Sequence, residues 1–561
     1  MESILLALTA FLVFFLGYRF YSAFLARVIF RLDPEFRTPA HELRDNIDYM
    51  PTNKFVLWGH HFTSVAGAAP IIGPSIAVIW GWGPALLWVL LGTVFFAGIH
   101  DFSTLWVSVR HKGESMGSLT RAVIGPRARS LFLLIIFFLL VLVNAVFAIA
   151  IAQLFSSFPE SVAAYWLQVP VAMGVGWLVY RRSIRIGVPA VVALLLLLGF
   201  VGVGAMMPLA LPEQILGLPA SAWWVVIMLG YGALASRLPV WLLLQPRDFI
   251  NAHLLFLVLA LIYVGVFVGA PDLVAPMFNE QVPEDTPSML PLLFVTIACG
   301  AISGFHGLVS SGTTSKQLDR ETDARFVGYF GATGEGLLAV AAILATAAGF
   351  ASAGEWNQAY ASWQSASDSG IAHFVSGAGN LLGHLGIPAV LGTTFISVLV
   401  VAFAATTLDT SMRLQRFILA EIGTHYRMPA LGNRNIATAF VFLSCVALAF
   451  AGDPDNPGAG GMVLWPLFGT TNQLTAALSL LVVTLILKRL KRGFIYTLIP
   501  FLFIAVMTTW AMTLNIASFV EQGEWHLLII GGVILVFAVW LILEGFAAAH
   551  REWRQRRAEN G

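Results

Sequence analysis

Charged side chains are scarce in this chain. They make up 11% of its 561 residues, against 58% hydrophobic residues. So little charge cannot cover the surface of a soluble protein of this length, and the ordinary water-soluble globule is excluded. Cysteine is rarer still, with only Cys299 and Cys445. Both lie in apolar runs without CxxC or Cys/His spacing, so they read as core thiols and no metal site is legible. Catalytic signatures are missing too: there is no phosphate-loop, GxSxG, HExxH or kinase pattern, and the glycine-rich stretch 331–336 lacks the lysine and the preceding strand that a phosphate loop needs. An enzymatic reading has nothing to rest on, no cofactor is implied, and nothing points to nucleic acid.

What is present is a long succession of apolar runs. A membrane helix needs about 20 mostly apolar residues. Such runs fall at 3–25, 57–79, 84–109, 130–155, 162–180, 187–208, 221–244, 252–270, 288–310, 328–350, 387–408, 434–451, 462–487, 494–515 and 525–548. The expectation is an all-α polytopic membrane protein with about 15 transmembrane helices. The first run has Glu2 before it and Arg27 and Arg31 after it, the reverse of a secretory signal, so it is expected to stay as an anchor. The connection 351–386 is too amphipathic for a plain span and reads as a lid or an interfacial helix pair.

A second scarcity orients the chain. The loops after even-numbered runs contain no lysine or arginine, only acids such as Glu160, Glu213, Asp272, Glu284, Asp285, Glu355 and Asp453. Of the 31 basic residues, all but Arg19 belong to the opposite face, and Arg19 is placed to snorkel there. Cytoplasmic loops keep Lys and Arg, which puts the N-terminus outside and the C-terminus inside a bacterial plasma membrane. Basic clusters such as Lys488–Arg492 set this topology and contact anionic lipid.

Two runs look unable to continue as straight helices. The second holds Gly59, Gly67, Pro70, Gly73 and Pro74; the seventh holds Gly230, Gly232 and, near its end, Pro239. Unwound backbone at membrane depth is tolerated where it is buried or lines a cavity. Interrupted spans five apart and opposite in direction point to an inverted-repeat secondary transporter with its site at the midplane. The expected organisation is an N-terminal extra helix (1–30), a cytoplasmic loop (31–56), a first five-helix repeat (57–210), an inverted second repeat (221–410), a second cytoplasmic loop (411–433) and accessory helices with a basic tail (434–561). This is an inverted five-plus-five, leucine-transporter-like core with additions.

Ionisable groups inside spans mark functional pathways by default. His60, His61, His100, Asp101, His306, Glu335 and Asp409 qualify. His100 and Asp101 point about 100° apart on a helix and are expected to find partners on other helices rather than each other. Ser310, Ser311, Thr313 and Thr314 end the ninth run and offer hard oxygen ligands to a small cation, or caps to their own helix. Candidate substrate contacts are His60, His61, Ser64, Gly67, Ala68, Tyr231 and Trp241. Candidate proton or cation positions are His61, Asp101, His306, Ser310, Ser311, Thr313, Thr314, Glu335 and Asp409.

The strings NKFVLWGHHFTSVAGAAPIIGP (53–74), HDF (100–102), LPVWLLLQPRD (238–248), SGFHGLVSSGTT (303–314), TTLD (406–409) and WPLFGTTNQL (465–474) resemble the carbon starvation protein A (CstA) family across most of residues 50–480. That family is similar to the amino acid/polyamine/organocation superfamily. The resemblance implies the five-plus-five fold and import of peptides or pyruvate under nutrient limitation, coupled to protons. Positions 59–62, 246–248 and 305–314 carry over from it. Proton and sodium coupling both stay open at this point, and so does a transporter-fold receptor or sensor subunit that binds without net flux.

Overall fold

The computed structural model describes residues 1–45, 48–182, 184, 186–451 and 460–559. Apart from one hairpin of two-residue strands, Gln214–Ile215 paired with Leu218–Pro219, the elements among the described residues are helical. Among the described residues eleven helices are long and apolar enough to cross a membrane, and the bent pair Lys54–Ala66 and Ala69–Trp80, taken as one span, makes a twelfth. Two shorter apolar helices, Ala220–Ala235 and Arg434–Ala449, lie where the seventh and twelfth runs were expected. The segment 351–386 folds as two helices, Ala353–Ala359 and Trp363–Gly383.

The second span breaks as its sequence demands. Its first half ends at Ala66, Gly67 takes φ +52°, and the second half restarts with Pro70 in its first turn, turned by 46°. Proline suits that position because its missing N–H has no helical partner there anyway. A Cβ on Gly67 would lie 2.6 Å from Thr407 Oγ1, so close approach of the eleventh span adds to the backbone requirement.

The seventh span corrects the expectation of an interruption. Ala220–Ala235 is continuous, and the irregular stretch 236–243 with Pro239 lies beyond its end. Gly232 serves packing instead: a Cβ there would meet Met412 Sδ at 2.8 Å. The second discontinuous span is the ninth. Met289–Thr296 and Gly304–Gly312 are separated by the non-helical stretch 297–303, where Gly300 has φ +90° and lies against Ala339 of the tenth span. The two broken spans meet at their breaks, with Gly73 seated on the Thr296 carbonyl.

Two groups of helices surround this contact. The second, third, ninth and tenth spans pack on one another. The long fourth and eleventh spans, Pro126–Ser157 and Ala389–His425, pack along each other, and the seventh and twelfth lie against both. The eighth span, Leu244–Gly269, joins the sides by packing on the first half of the second span and on the eleventh.

Candidate functional site

The broken second span carries His60 and His61, which face opposite ways and lead to two buried ionic centres. Adjacent helical positions diverge by about 100°, so a pair of neighbours can serve two partners.

His60 opens the first centre. Its Nδ1 lies 2.9 Å from Asp248 Oδ2 on the eighth span. Asp248 Oδ1 accepts from Arg247 Nη2 at 3.1 Å, and Arg247 makes a two-pronged pair with Asp409 of the eleventh span. Arg247 Nη1 also donates to Tyr231 OH at 2.9 Å, on the seventh span. Arg247, Asp248 and Asp409 are fully buried, whereas the His60 side chain keeps 12% exposure. One guanidinium therefore faces two carboxylates, and His60 supplies the second cation when protonated. The network ties the second span to the seventh, eighth and eleventh.

His61 turns toward the other group. Its Nδ1 is 2.9 Å from Thr314 Oγ1, beyond the ninth span. Deeper in that group, Asp101 Oδ2 lies 2.8 Å from His306 Nδ1, while Asp101 Oδ1 lies 2.7 Å from His100 Nδ1. The neighbours His100 and Asp101 do pair, contrary to expectation. The 100° rule describes where Cβ atoms point, and the Nδ1 of a histidine sits near enough to its own backbone to reach the next short side chain. His306 Nε2 is 3.2 Å from Glu335 Oε1 without hydrogen-bond geometry, and both Glu335 oxygens lack a side-chain hydrogen-bond partner among the described residues. Cys299, in the unwound stretch of the ninth span, completes this cluster with His306 and Glu335. Every member is sealed from solvent.

The four hydroxyls read as ligands for a cation or as partners of their own helix take separate partners. Ser311 donates to Gly307 O and Thr313 to Val309 O, each bonding back to the carbonyl four residues earlier. Thr314 pairs with His61, and Ser310 Oγ has no partner among the described residues. Nor does Trp241 join the site: it packs with Tyr180 and under Arg181 at the periphery of the basic face. Tyr231 belongs to the Arg247 network. Gly67 and Ala68 form the break itself, and Ser64 Oγ, one turn earlier, has no partner among the described residues.

A cavity of about 50 Å³ is lined by His60, Thr313, Lys316, Thr410 and Arg413. It adjoins a second of about 500 Å³, the two sharing Asp48, Gly312, Lys316, Leu414 and Phe417. These residues belong to the face that carries the basic loops. At the acidic face the outer half of the second span is covered: Tyr360 OH donates to Ser75 O at 2.7 Å, Trp80 packs on Trp363 at 5.2 Å, and Asp285 accepts from Trp363 N. The protein is therefore shut at one end and hollow at the other, with His60 at the inner wall of the hollow.

Reading residues singly missed Arg247, Asp248, Thr407 and Thr410. Thr407 Oγ1 and Thr410 Oγ1, on the eleventh span, are buried without a partner among the described residues, between the break and the cavity. Arg247 and Asp248 lay inside a matched string, yet their position beside a loop made them look like topology charges.

The sequence profile described as carbon starvation protein CstA matches residues 2–359 and 351–511. The peptide transporter CstA of Campylobacter jejuni is 31% identical over 93% of this chain and 81% of its own length. The pyruvate/proton symporter BtsT of Escherichia coli is 31% identical over 91% of this chain and 81% of its own length. The peptide transporter CstA of Escherichia coli is 32% identical over 86% and 76%. Among solved structures, a manganese transporter of Eremococcus coleocola aligns over 90% of this chain at 13% identity and a TM-score of 0.49, too loose a likeness to carry an argument.

Proposed function

This multi-pass membrane transporter belongs to the carbon starvation protein CstA family, and from that premise we propose that it imports small peptides or pyruvate-like carboxylates by proton-coupled alternating access. The observation that carries the coupling is the Tyr231–Arg247–Asp409–Asp248–His60 network, which crosses between the two groups of helices. A bound proton biases a rearrangement only if the two states hold it differently, so a titrating pair has most leverage at the seam that the rearrangement opens. His60 is at that seam and at the cavity wall, where a proton can reach it. The Asp101–His306–Glu335 centre lies within one group and is sealed.

The substrate carboxylate is held at the break of the second span. Free amides after Gly67 and the start of the second half-helix provide the positive end of a helix dipole, as in other anion sites at helix N-termini. His61, Ser64, Thr407 and Thr410 supply the polar contacts between that point and the cavity, while Lys316 and Arg413 at its mouth favour an anion. With the basic face cytoplasmic, the hollow described above is the inward-facing state.

We also propose that the repeats pair the second, third, fourth, seventh and eighth spans with the ninth to thirteenth, the fifth and sixth forming an inserted hairpin. Supporting this, each set runs in the same order: a broken span, a span of 28 to 29 residues, a long one, a short helix of 16 and one of 25 to 26. Opposite orientation follows from the charge rule, the second span leaving the basic face and the ninth returning to it.

The test is uptake of pyruvate and of di- and tripeptides into proteoliposomes under an imposed proton gradient, with and without sodium. Accumulation that collapses with a protonophore and ignores sodium is expected. Gradient-independent flux, or binding with no flux, sinks the coupling reading and favours a receptor.

A further inference from the structure

We propose that Cys299, His306 and Glu335 form a buried site for a divalent transition-metal cation of the zinc class, which staples the unwound part of the ninth span to the tenth. The ligand atoms of these three side chains all lie within 4.8 Å of one another, and all three residues are buried. In a tetrahedral zinc site, bonds of about 2.0 to 2.3 Å place ligand atoms about 3.3 to 3.8 Å apart, so a contraction of up to about 1 to 1.5 Å brings these three to bonding distance, and the fourth position falls to the second Glu335 oxygen or a water. One sulfur, one nitrogen and one carboxylate oxygen make a borderline-soft set. It suits Zn²⁺, Co²⁺ or Fe²⁺ and not Na⁺, Mg²⁺ or Ca²⁺, which take oxygen.

The hydrogen bonds around the cluster fit a ligand role for His306. Its Nδ1 faces Asp101 Oδ2 at 2.8 Å, and Asp101 Oδ1 is taken up by His100. A proton held at Nδ1 by a carboxylate leaves the Nε2 lone pair free, the tautomer and second shell that metal-bound histidines use. That Nε2 points at Glu335 Oε1 from 3.2 Å with no hydrogen-bond geometry between them. With the proton on Nδ1, these are two acceptors facing each other in a dry interior, an arrangement that a cation between them relieves. Cys299 Sγ accepts from Asn472 Nδ2 at 3.3 Å, a contact that favours a thiolate. A dication with one thiolate and one carboxylate is neutral as a unit, which removes the cost of burying Glu335 alone.

Position explains the use. Cys299 lies in the 297–303 stretch, His306 in the half-helix that follows, and Glu335 in the tenth span. All lie on one side of the seam that the His60 network crosses, so the metal holds a helix group together and takes no part in coupling. The competing account is an imidazolium held between Asp101 and Glu335 with Cys299 as a bystander thiol.

The experiment is metal analysis of the full-length protein, purified and then reconstituted with Zn²⁺, with chelator-washed samples of wild type, C299S and E335Q. About one equivalent per chain is expected in wild type and a small fraction of that in each variant. Reconstitution with Co²⁺ should add a thiolate-to-cobalt charge-transfer band that C299S abolishes. Wild type that holds no metal after reconstitution overturns the proposal, as does metal retained in both variants. Should a variant fail to fold, X-ray absorption on zinc-loaded wild type decides: a sulfur shell at about 2.3 Å supports the site, and an all-nitrogen and oxygen shell refutes it.

Discussion

Replacing Asp248 with Asn should uncouple transport from protons while leaving the translocation path intact. Arg247 contributes one positive charge to the seam, Asp248 and Asp409 one negative charge each, and His60 either none or one positive. With neutral His60 the seam carries a net negative charge, and protonation cancels it. An imidazolium and a carboxylate 2.9 Å apart attract by about 6 kcal/mol at an effective dielectric constant near 20. Desolvation offsets part of this, leaving about 2 to 4 kcal/mol, or roughly a thirty- to several-hundred-fold bias. Full reversal of a two-state equilibrium from 1:99 to 99:1 takes about 5.5 kcal/mol, so the pair is a strong contributor to a switch and not the whole of it. Asp48, Lys316 and Arg413 around the cavity and His61 on the same helix share this field. In D248N the seam is neutral without a proton. With one proton per substrate, a one-unit pH gradient supports up to about tenfold accumulation in wild type. The D248N variant should fall to about onefold while substrate counterflow across the same vesicles persists. H60Q should also lose accumulation, with the seam held at its net negative charge. Tenfold accumulation in D248N would refute the reasoning, and so would loss of counterflow in a variant with native thermal stability.

The Arg247–Asp409 pair should dominate local stability: D409N is expected to cost about 3 to 5 kcal/mol in detergent unfolding, whereas joint neutralisation of all three buried charges (R247M with D248N and D409L) should recover most of the stability and none of the uptake. Gly67→Ala should cost about 1 to 3 kcal/mol and depress uptake, because φ +52° strains an L-residue and the new methyl meets Thr407; native uptake by G67A would remove the case for a strained break. Burial beside Tyr360 and Phe350 pushes His373, in the helix Trp363–Gly383, down to about 4. The folded helix then binds fewer protons than the unfolded chain between about pH 6.5 and 4, so its stability is whole above that window and falls through it by up to about 3 kcal/mol; hydrogen exchange of this helix should show the loss, and H373F should abolish it. Orientation is checked by C-terminal fusions: fluorescent protein should be bright there and alkaline phosphatase inactive, and the converse would invert the assignment of faces.

Much of the fold is legible in the order of the residues, because transfer of an apolar run into lipid is a local free energy. The broken second span is legible for the same reason: Gly67, Pro70 and Pro74 act on their own backbone. The break of the ninth span leaves no mark in the sequence because its unwound stretch, Ile297-Ala298-Cys299-Gly300-Ala301-Ile302-Ser303, holds a single glycine among mostly apolar residues. What opens it is the fit of Gly300 against the tenth span and of the Thr296 carbonyl against Gly73. In the seventh span, Gly230 and Gly232 resembled a break, but glycine also serves close packing, and only the neighbouring Met412 distinguishes the two.

The ionic centres divide in the same way. That His60, His61, Asp101, His306, Glu335 and Asp409 are expensive in a membrane, and so must be partnered, follows from their place in apolar runs. Which partner each takes does not follow. His60 and Asp248 are 188 residues apart, Arg247 and Asp409 162. Such pairs are set by how whole helices pack, and packing depends on shapes that no single run encodes. The chain by itself determined that there are many spans, which loops share a face, and where one helix must unwind, each a matter of local transfer or backbone energy. Only the tertiary structure decided that Arg247, read as a loop charge, is buried at a seam, and that Cys299, read as a core thiol, stands beside His306 and Glu335. Charge and coordination are properties of neighbours, and neighbours come from folding.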